Sequence, residues 1–220
     1  MFRNYIKKVF YIIVLIGFSS SNAGSYDDFF TAIVRDDDAA IGALLARGFD
    51  PNTVDSTGTA GLLLALQAAS MKVASRLVTW PATKVEVRNA ANESPLMHAA
   101  LKGEIELCKL LIKRGADVNK PGWAPLHYAA TNAHIDIMNL LLDEHAYIDA
   151  ASPNGTTPLM MAAQYGDENA VKLLLEAGAD PLLRNVLGMT ALDFAQRANR
   201  LHSVSIIAAF VRGRQPKGSW

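Results

Sequence analysis

Thr157-Pro-Leu-Met-Met-Ala-Ala163 and Leu173-Leu-Leu-Glu-Ala-Gly-Ala-Asp-Pro181 decide the fold, because both stretches recur along the chain in register. The first returns as Ser94-Pro-Leu-Met-His-Ala-Ala100, Ala124-Pro-Leu-His-Tyr-Ala-Ala130 and Thr190-Ala-Leu-Asp-Phe-Ala195, and the four starts lie 30, 33 and 33 residues apart. The second returns as Leu110-Leu-Ile-Lys-Arg-Gly-Ala-Asp-Val-Asn119, Leu140-Leu-Leu-Asp-Glu-His-Ala-Tyr-Ile-Asp149 and, earlier, Ala43-Leu-Leu-Ala-Arg-Gly-Phe-Asp-Pro-Asn52. Two tracks kept in step at a period near 33 describe a stack of like units.

Each part of the unit has a physical reason. Pro158 presets φ for the first turn of a helix, where its missing N–H costs nothing, and Thr157 beside it supplies an acceptor for a free backbone donor. Ala162 and Ala163 are small enough for that helix to lie close against its neighbour. A second helix over Asn169 to Ala177 sets Val171, Leu174 and Leu175 on one stripe, and Gly178 follows where a helix ends in a left-handed residue. Turn formers such as Ser152-Pro-Asn-Gly155 then lead into the next unit.

The period and the TPLHxA-like start resemble the ankyrin-repeat family over nearly all of the chain after residue 23. That resemblance implies an all-α solenoid of stacked helix-turn-helix units joined by hairpin-like loops. The expected repeat domain is 24–211: a capping unit at 26–54, internal units at 55–88, 89–119, 120–151 and 152–184, and a closing cap at 185–211, followed by a flexible tail at 212–220. Asp27, Asp28, Arg35 and the run Asp36 to Asp38 give the front cap its polar face, as Arg197, Asn199, Arg200 and Arg212 do at the back. Two units depart from the pattern. The unit at 55–88 has Ala60-Gly61 in place of Thr-Pro and Trp80-Pro81 in place of the closing glycine, so its hairpin over Lys84 to Asn92 is expected to be irregular. The turn Lys120-Pro-Gly-Trp123 is three residues short, which leaves a notch in the row of tips with an indole beside it.

Composition narrows the function. The 220 residues carry 21 Lys and Arg against 21 Asp and Glu, so there is no net field to hold a phosphate backbone, and nucleic acid is not an expected partner. A single cysteine, Cys108, allows no internal disulfide and no cysteine-rich zinc module. Basic Arg3, Lys7 and Lys8, an apolar run of ten residues from Val9 to Phe18 and small residues up to Ala23 read as a secretory signal peptide over 1–23, cleaved after Ala23. The run is half of the about 20 residues that span a bilayer. A periplasmic or secreted chain, monomeric and without stable membrane association, is expected after cleavage, with 18 basic and 21 acidic residues left.

Chemistry is sparse. No GxSxG, phosphate-binding loop, HExxH or strand-linked GxGxxG occurs, no cofactor or metal is expected, and no catalytic residue is assigned. His127 stands where the family resemblance implies a bond to turn backbone, and His98 lies one position later in its own unit; together they are the basis of an alternative metal-binding or enzymatic reading. What the resemblance does imply is a concave protein-binding surface, formed by hairpin tips and the solvent side of each first helix. Carried onto this chain, its contact residues are Leu101, Trp123, Tyr128, Asn132, Asn154, Thr156, Gln164, Tyr165, Leu187 and Met189. Further alternatives are an immunity or inhibitor protein of a periplasmic toxin, an accessory protein of oxidative-stress defence, or a secreted effector acting on host proteins.

Overall fold

The computed structural model describes residues 24–214. The expected leader, 1–23, and the tail beyond Arg214 lie outside the described residues. Among the described residues there are twelve helices, divided between a first compact unit ending at Lys84 and a second beginning at Val85. The first holds α1 (24–34), α2 (Asp38–Ala46), α3 (Gly61–Gln67) and α4 (Met71–Thr79). The second holds α5 (Pro95–Lys102), α6 (Ile105–Lys113), α7 (Pro125–Thr131), α8 (Ile135–Asp143), α9 (Pro158–Gln164), α10 (Glu168–Glu176), α11 (Ala191–Arg197) and α12 (Leu201–Arg214).

In the first unit the aspartate run serves packing and capping, each carboxylate with its own partner. Asp36 accepts from the Val73 N–H at 2.9 Å, Asp37 caps α2 by accepting from the Ala40 N–H at 2.9 Å, and Asp38 pairs with Arg76 at 2.8 Å. The missing Thr-Pro pair has a steric cause. A Cβ on Gly61 would lie 2.5 Å from Phe29 Cε1, and Phe29 sits in a ring cluster with Phe30 and Phe49, so only glycine lets α3 approach it. The missing closing glycine has a backbone counterpart, since α4 stops at Trp80 in an extended conformation and not in a left-handed one.

In the second unit α5, α7, α9 and α11 lie side by side as an inner row. Ala99, Ala100, Ala129, Ala130, Ala162, Ala163 and Ala195 are fully buried between them. Ser94, Thr157 and Thr190 cap three of these helices through their hydroxyls, and Pro95, Pro125 and Pro158 open the first three. The outer helices bury the stripes Leu107, Cys108 and Leu111; Ile137, Met138 and Leu141; and Val171, Leu174 and Leu175. Burial, and then the charge of Glu104, push the Cys108 thiol up to about 12, which leaves it inert. Helix α10 begins at Glu168, one residue before the expected start, because Asp167 caps it. Helix α12 continues to Arg214, so the first three residues of the expected tail are helical.

The tips are closed by short backbone bonds: Asn89 N–H to the Glu93 carbonyl at 3.2 Å, Ser152 to Thr156 at 3.0 Å and Asn185 to Met189 at 3.0 Å. The tip at 89–93 is regular, contrary to the irregularity expected over 84–92, because Asn92 adopts the left-handed conformation that glycine holds at Gly155 and Gly188. The short turn at 120–123 forms no such bond among the described residues. Its neighbours are adapted to the gap. Val186 N–H donates to the Asn154 carbonyl at 2.9 Å, whereas the corresponding residue one unit earlier is Pro153, which has no N–H to donate toward the truncated turn. Leu141 is fully buried in α8, so Leu141→Ala is expected to lower stability by about 2–5 kcal/mol, read by urea unfolding, and a loss below about 1 kcal/mol would contradict this core.

Candidate functional site

The site grows from the start of α7. Ala124 has no side chain to cap the helix, and His127 takes over: its Nδ1 accepts from the Ala124 N–H at 3.1 Å, and its Nε2 donates to the Thr156 carbonyl of the next tip at 3.0 Å. These two bonds assign the Nε2–H tautomer and tie the inner row to the row of tips. Trp123 packs edge-on against His127 at 5.2 Å between ring centroids and against Tyr128 at 6.4 Å. The Tyr128 hydroxyl donates to Glu93 at 3.1 Å, and Glu93 also accepts from Asn89 Nδ2 at 2.7 Å and bonds His98 Nε2 at 3.1 Å.

This arrangement fixes charge states. Burial disfavours the ionised Glu93 carboxylate, but the bonds from Asn89, His98 and Tyr128 outweigh it and hold its pKa below the usual range. Burial and the facing Glu93 charge push the Tyr128 phenol well above its ordinary value. Burial lowers His127, against the opposing pull of its backbone bonds, and keeps the ring neutral.

Beyond Trp123 the surface is concave, with a pocket of about 440 Å³ inside the second unit. Seven of the ten expected contact residues line it: Trp123, Asn154, Thr156, Gln164, Tyr165, Leu187 and Met189. Tyr165 is 52 % exposed and Leu187 74 %. Thr156 is only 3 % exposed, and its carbonyl serves His127, so it shapes the wall more than it offers a contact. Trp123 is half-buried, packed on its own repeat and facing the pocket as well. Tyr128 stands behind Trp123, outside the lining. Leu101 and Asn132 lie apart from the pocket, joined to each other by a bond from Asn132 Nδ2 to the Leu101 carbonyl at 2.8 Å.

Met161 and Phe194 line the pocket and were absent from the expected set. A signal for them exists: they sit 33 and 66 residues after Tyr128, at the same place in successive first helices. Among the described residues, no three His, Cys, Asp or Glu gather as a metal site, and no helix is long and apolar enough to cross a membrane.

Comparison with known proteins agrees with this architecture. The family model for ankyrin repeats, three copies, matches residues 29–122, 62–152 and 126–213. The nuclear factor NF-kappa-B p105 subunit of Gallus gallus is 30 % identical over 161 residues, 70 % of this chain but only 16 % of that protein. The tyrosine-protein kinase Shark of Drosophila melanogaster is 30 % identical over 71 % of this chain and 17 % of its own length. The chain therefore spans about a sixth of these relatives. Among solved structures, the human ASB11 ankyrin repeat domain is similar with a TM-score of 0.75 and 25 % identity, over 86 % of this chain and 85 % of that one. A chain from the complex of a predatory endopeptidase of Bdellovibrio bacteriovorus with an immunity protein is similar with a TM-score of 0.72 and 26 % identity, over 83 % of this chain and 97 % of that one.

The buried neutral ring of His127 makes a pH prediction. The unfolded chain binds a proton there near pH 6.5 and the folded chain does not, so the contribution of the ring to stability is whole above pH 6.5 and declines below it. NMR titration of the His127 ring protons is expected to give a midpoint below 6.5, and a midpoint at or above 6.5 would contradict the assignment.

Proposed function

The chain belongs to the ankyrin-repeat family, and from that premise we propose that it is a non-catalytic module that holds a protein partner in the concave pocket of its second unit. Ankyrin repeats are protein-interaction modules. The observation that carries the finer reading is the convergence of Trp123, Tyr165, Leu187 and Met189 on one pocket beside neutral amides. Two of them, Tyr165 and Leu187, are exposed beside the half-buried Trp123 and Met189, and an apolar surface gathered in this way, with Trp and Tyr among its residues, has the composition in which interface hot spots are enriched.

The leader read over 1–23 supports action outside the cytoplasm, in the periplasm or beyond the cell, after cleavage at Ala23. In that compartment a second reading gains weight: an immunity protein that shields the cell from a hydrolase. Its support is the similarity to a chain from the endopeptidase–immunity complex, over 97 % of that chain. Inhibition of peptidase activity in a periplasmic extract by the purified chain is the expected result under that reading, and undiminished activity would remove it.

The broader proposal is tested on Tyr165 and Leu187, which are exposed and carry little of the core. The double variant Tyr165→Ala, Leu187→Ala is expected to weaken capture of the partner from extracts of the source cell by about tenfold or more, with the melting temperature unchanged. Capture at wild-type strength would contradict the pocket as the binding face.

A further inference from the structure

The polar groups of the pocket are unevenly spent. No Asp or Glu is among its lining residues, while Arg197 is. Arg197 is exposed, and its one side-chain bond among the described residues runs from Nη1 to the Met189 sulfur at 2.9 Å, a weak acceptor for a guanidinium. The carboxylate nearest in sequence, Asp193, is committed to the Thr190 N–H and hydroxyl, both at 2.7 Å. Asn154 has its oxygen engaged by Ser152 and Thr156, leaving its amide nitrogen unspent. Arg184, outside the lining, donates to the Gly188 carbonyl at 2.6 Å, and Arg200, which lines a separate pocket beside Asp167 and Glu168, donates to the Tyr165 carbonyl at 3.3 Å. Within the lining itself, donors and the charge of Arg197 therefore stand without a carboxylate, next to an apolar wall.

We propose that the pocket takes an extended partner segment in which a carboxylate stands beside a large apolar side chain. The carboxylate meets the guanidinium fork of Arg197, whose free N–H groups match its two oxygens, with the unspent Asn154 amide as a further donor. The apolar side chain lies against Tyr165 and Leu187. A lysine- or arginine-bearing segment would find no carboxylate in the lining and would face the charge of Arg197. This inference rests on the pocket being the binding face and adds the chemistry of what it selects.

Three labelled peptides test it by fluorescence polarisation on the full chain: acetyl-Gly-Asp-Leu-Phe-Asp-Gly-amide, the same peptide with Asn for Asp, and the same with Lys for Asp. The acidic peptide is expected to bind about tenfold more tightly than the Asn peptide at low salt, with the advantage shrinking at about 0.5 M salt. Arg197→Gln is expected to erase that preference without moving the melting temperature, and Arg197→Lys to restore part of it. Equal affinities, preference for the Lys peptide, a preference that survives Arg197→Gln, or no binding by any of the three would each overturn the proposal. If those results came with loss of partner capture in the Tyr165→Ala, Leu187→Ala variant, the pocket would stand as the binding face and only its selectivity for carboxylates would fall.

Discussion

The close approach of the inner helices is the constraint on which the second unit depends. Pairs of alanines at the centre of α5, α7 and α9, all fully buried, bring these helices together without side chains to hold them apart. A larger residue at these places would separate neighbouring helices by a methylene or more, and cores resist that change at about 1–3 kcal/mol per site. The spacing so fixed recurs at the tips, because His127 bonds both its own helix start and the carbonyl of Thr156 in the next unit. A second set of side-chain bonds does the same for the loops behind: Glu86 accepts from the Asp117 N–H, Asn119 from Tyr147, and Asp149 from Asp180.

A surface built this way is rigid and modular, and its local character comes from a few exceptions to the repeat. The turn at Lys120 to Trp123 is the most consequential, since omission of one tip places an indole at the edge of the pocket and not out on a hairpin. The closing unit is the second exception. Its tip carries Val186 and Leu187 where the preceding one has Pro153 and Asn154, so the apolar surface of the pocket is concentrated at the end of the stack. Rigidity matters for the proposed role, because a preformed wall avoids the ordering cost that a flexible binder meets on association.

Most of the fold was legible in the sequence, since the caps, prolines, small pairs and apolar stripes act within a single unit and are visible as a period. The shortened turn and seven of the pocket residues were legible for the same reason. Features that join one unit to another were not. Glu93 reaches Tyr128 across 35 residues, and nothing in the spacing marks it as the partner of both Tyr128 and His98. Thr156 reads as an exposed tip residue, yet its role is to present a carbonyl to a histidine 29 residues earlier. Gly61 stands out in the sequence as a departure from the repeat, but its steric reason, the ring of Phe29 against it, is a contact across 32 residues that no local pattern encodes.

The central claim is that the inner face of the second unit, and no other face, meets the partner. Hydrogen–deuterium exchange of the full chain, free and with the captured partner bound, tests it most directly. Slowed exchange confined to the turn at 120–123, the tips at 152–156 and 185–189 and the C-terminal ends of α9 and α11 is the predicted result. Protection centred on the outer helices α6, α8 and α10, with the tips unchanged, would contradict it.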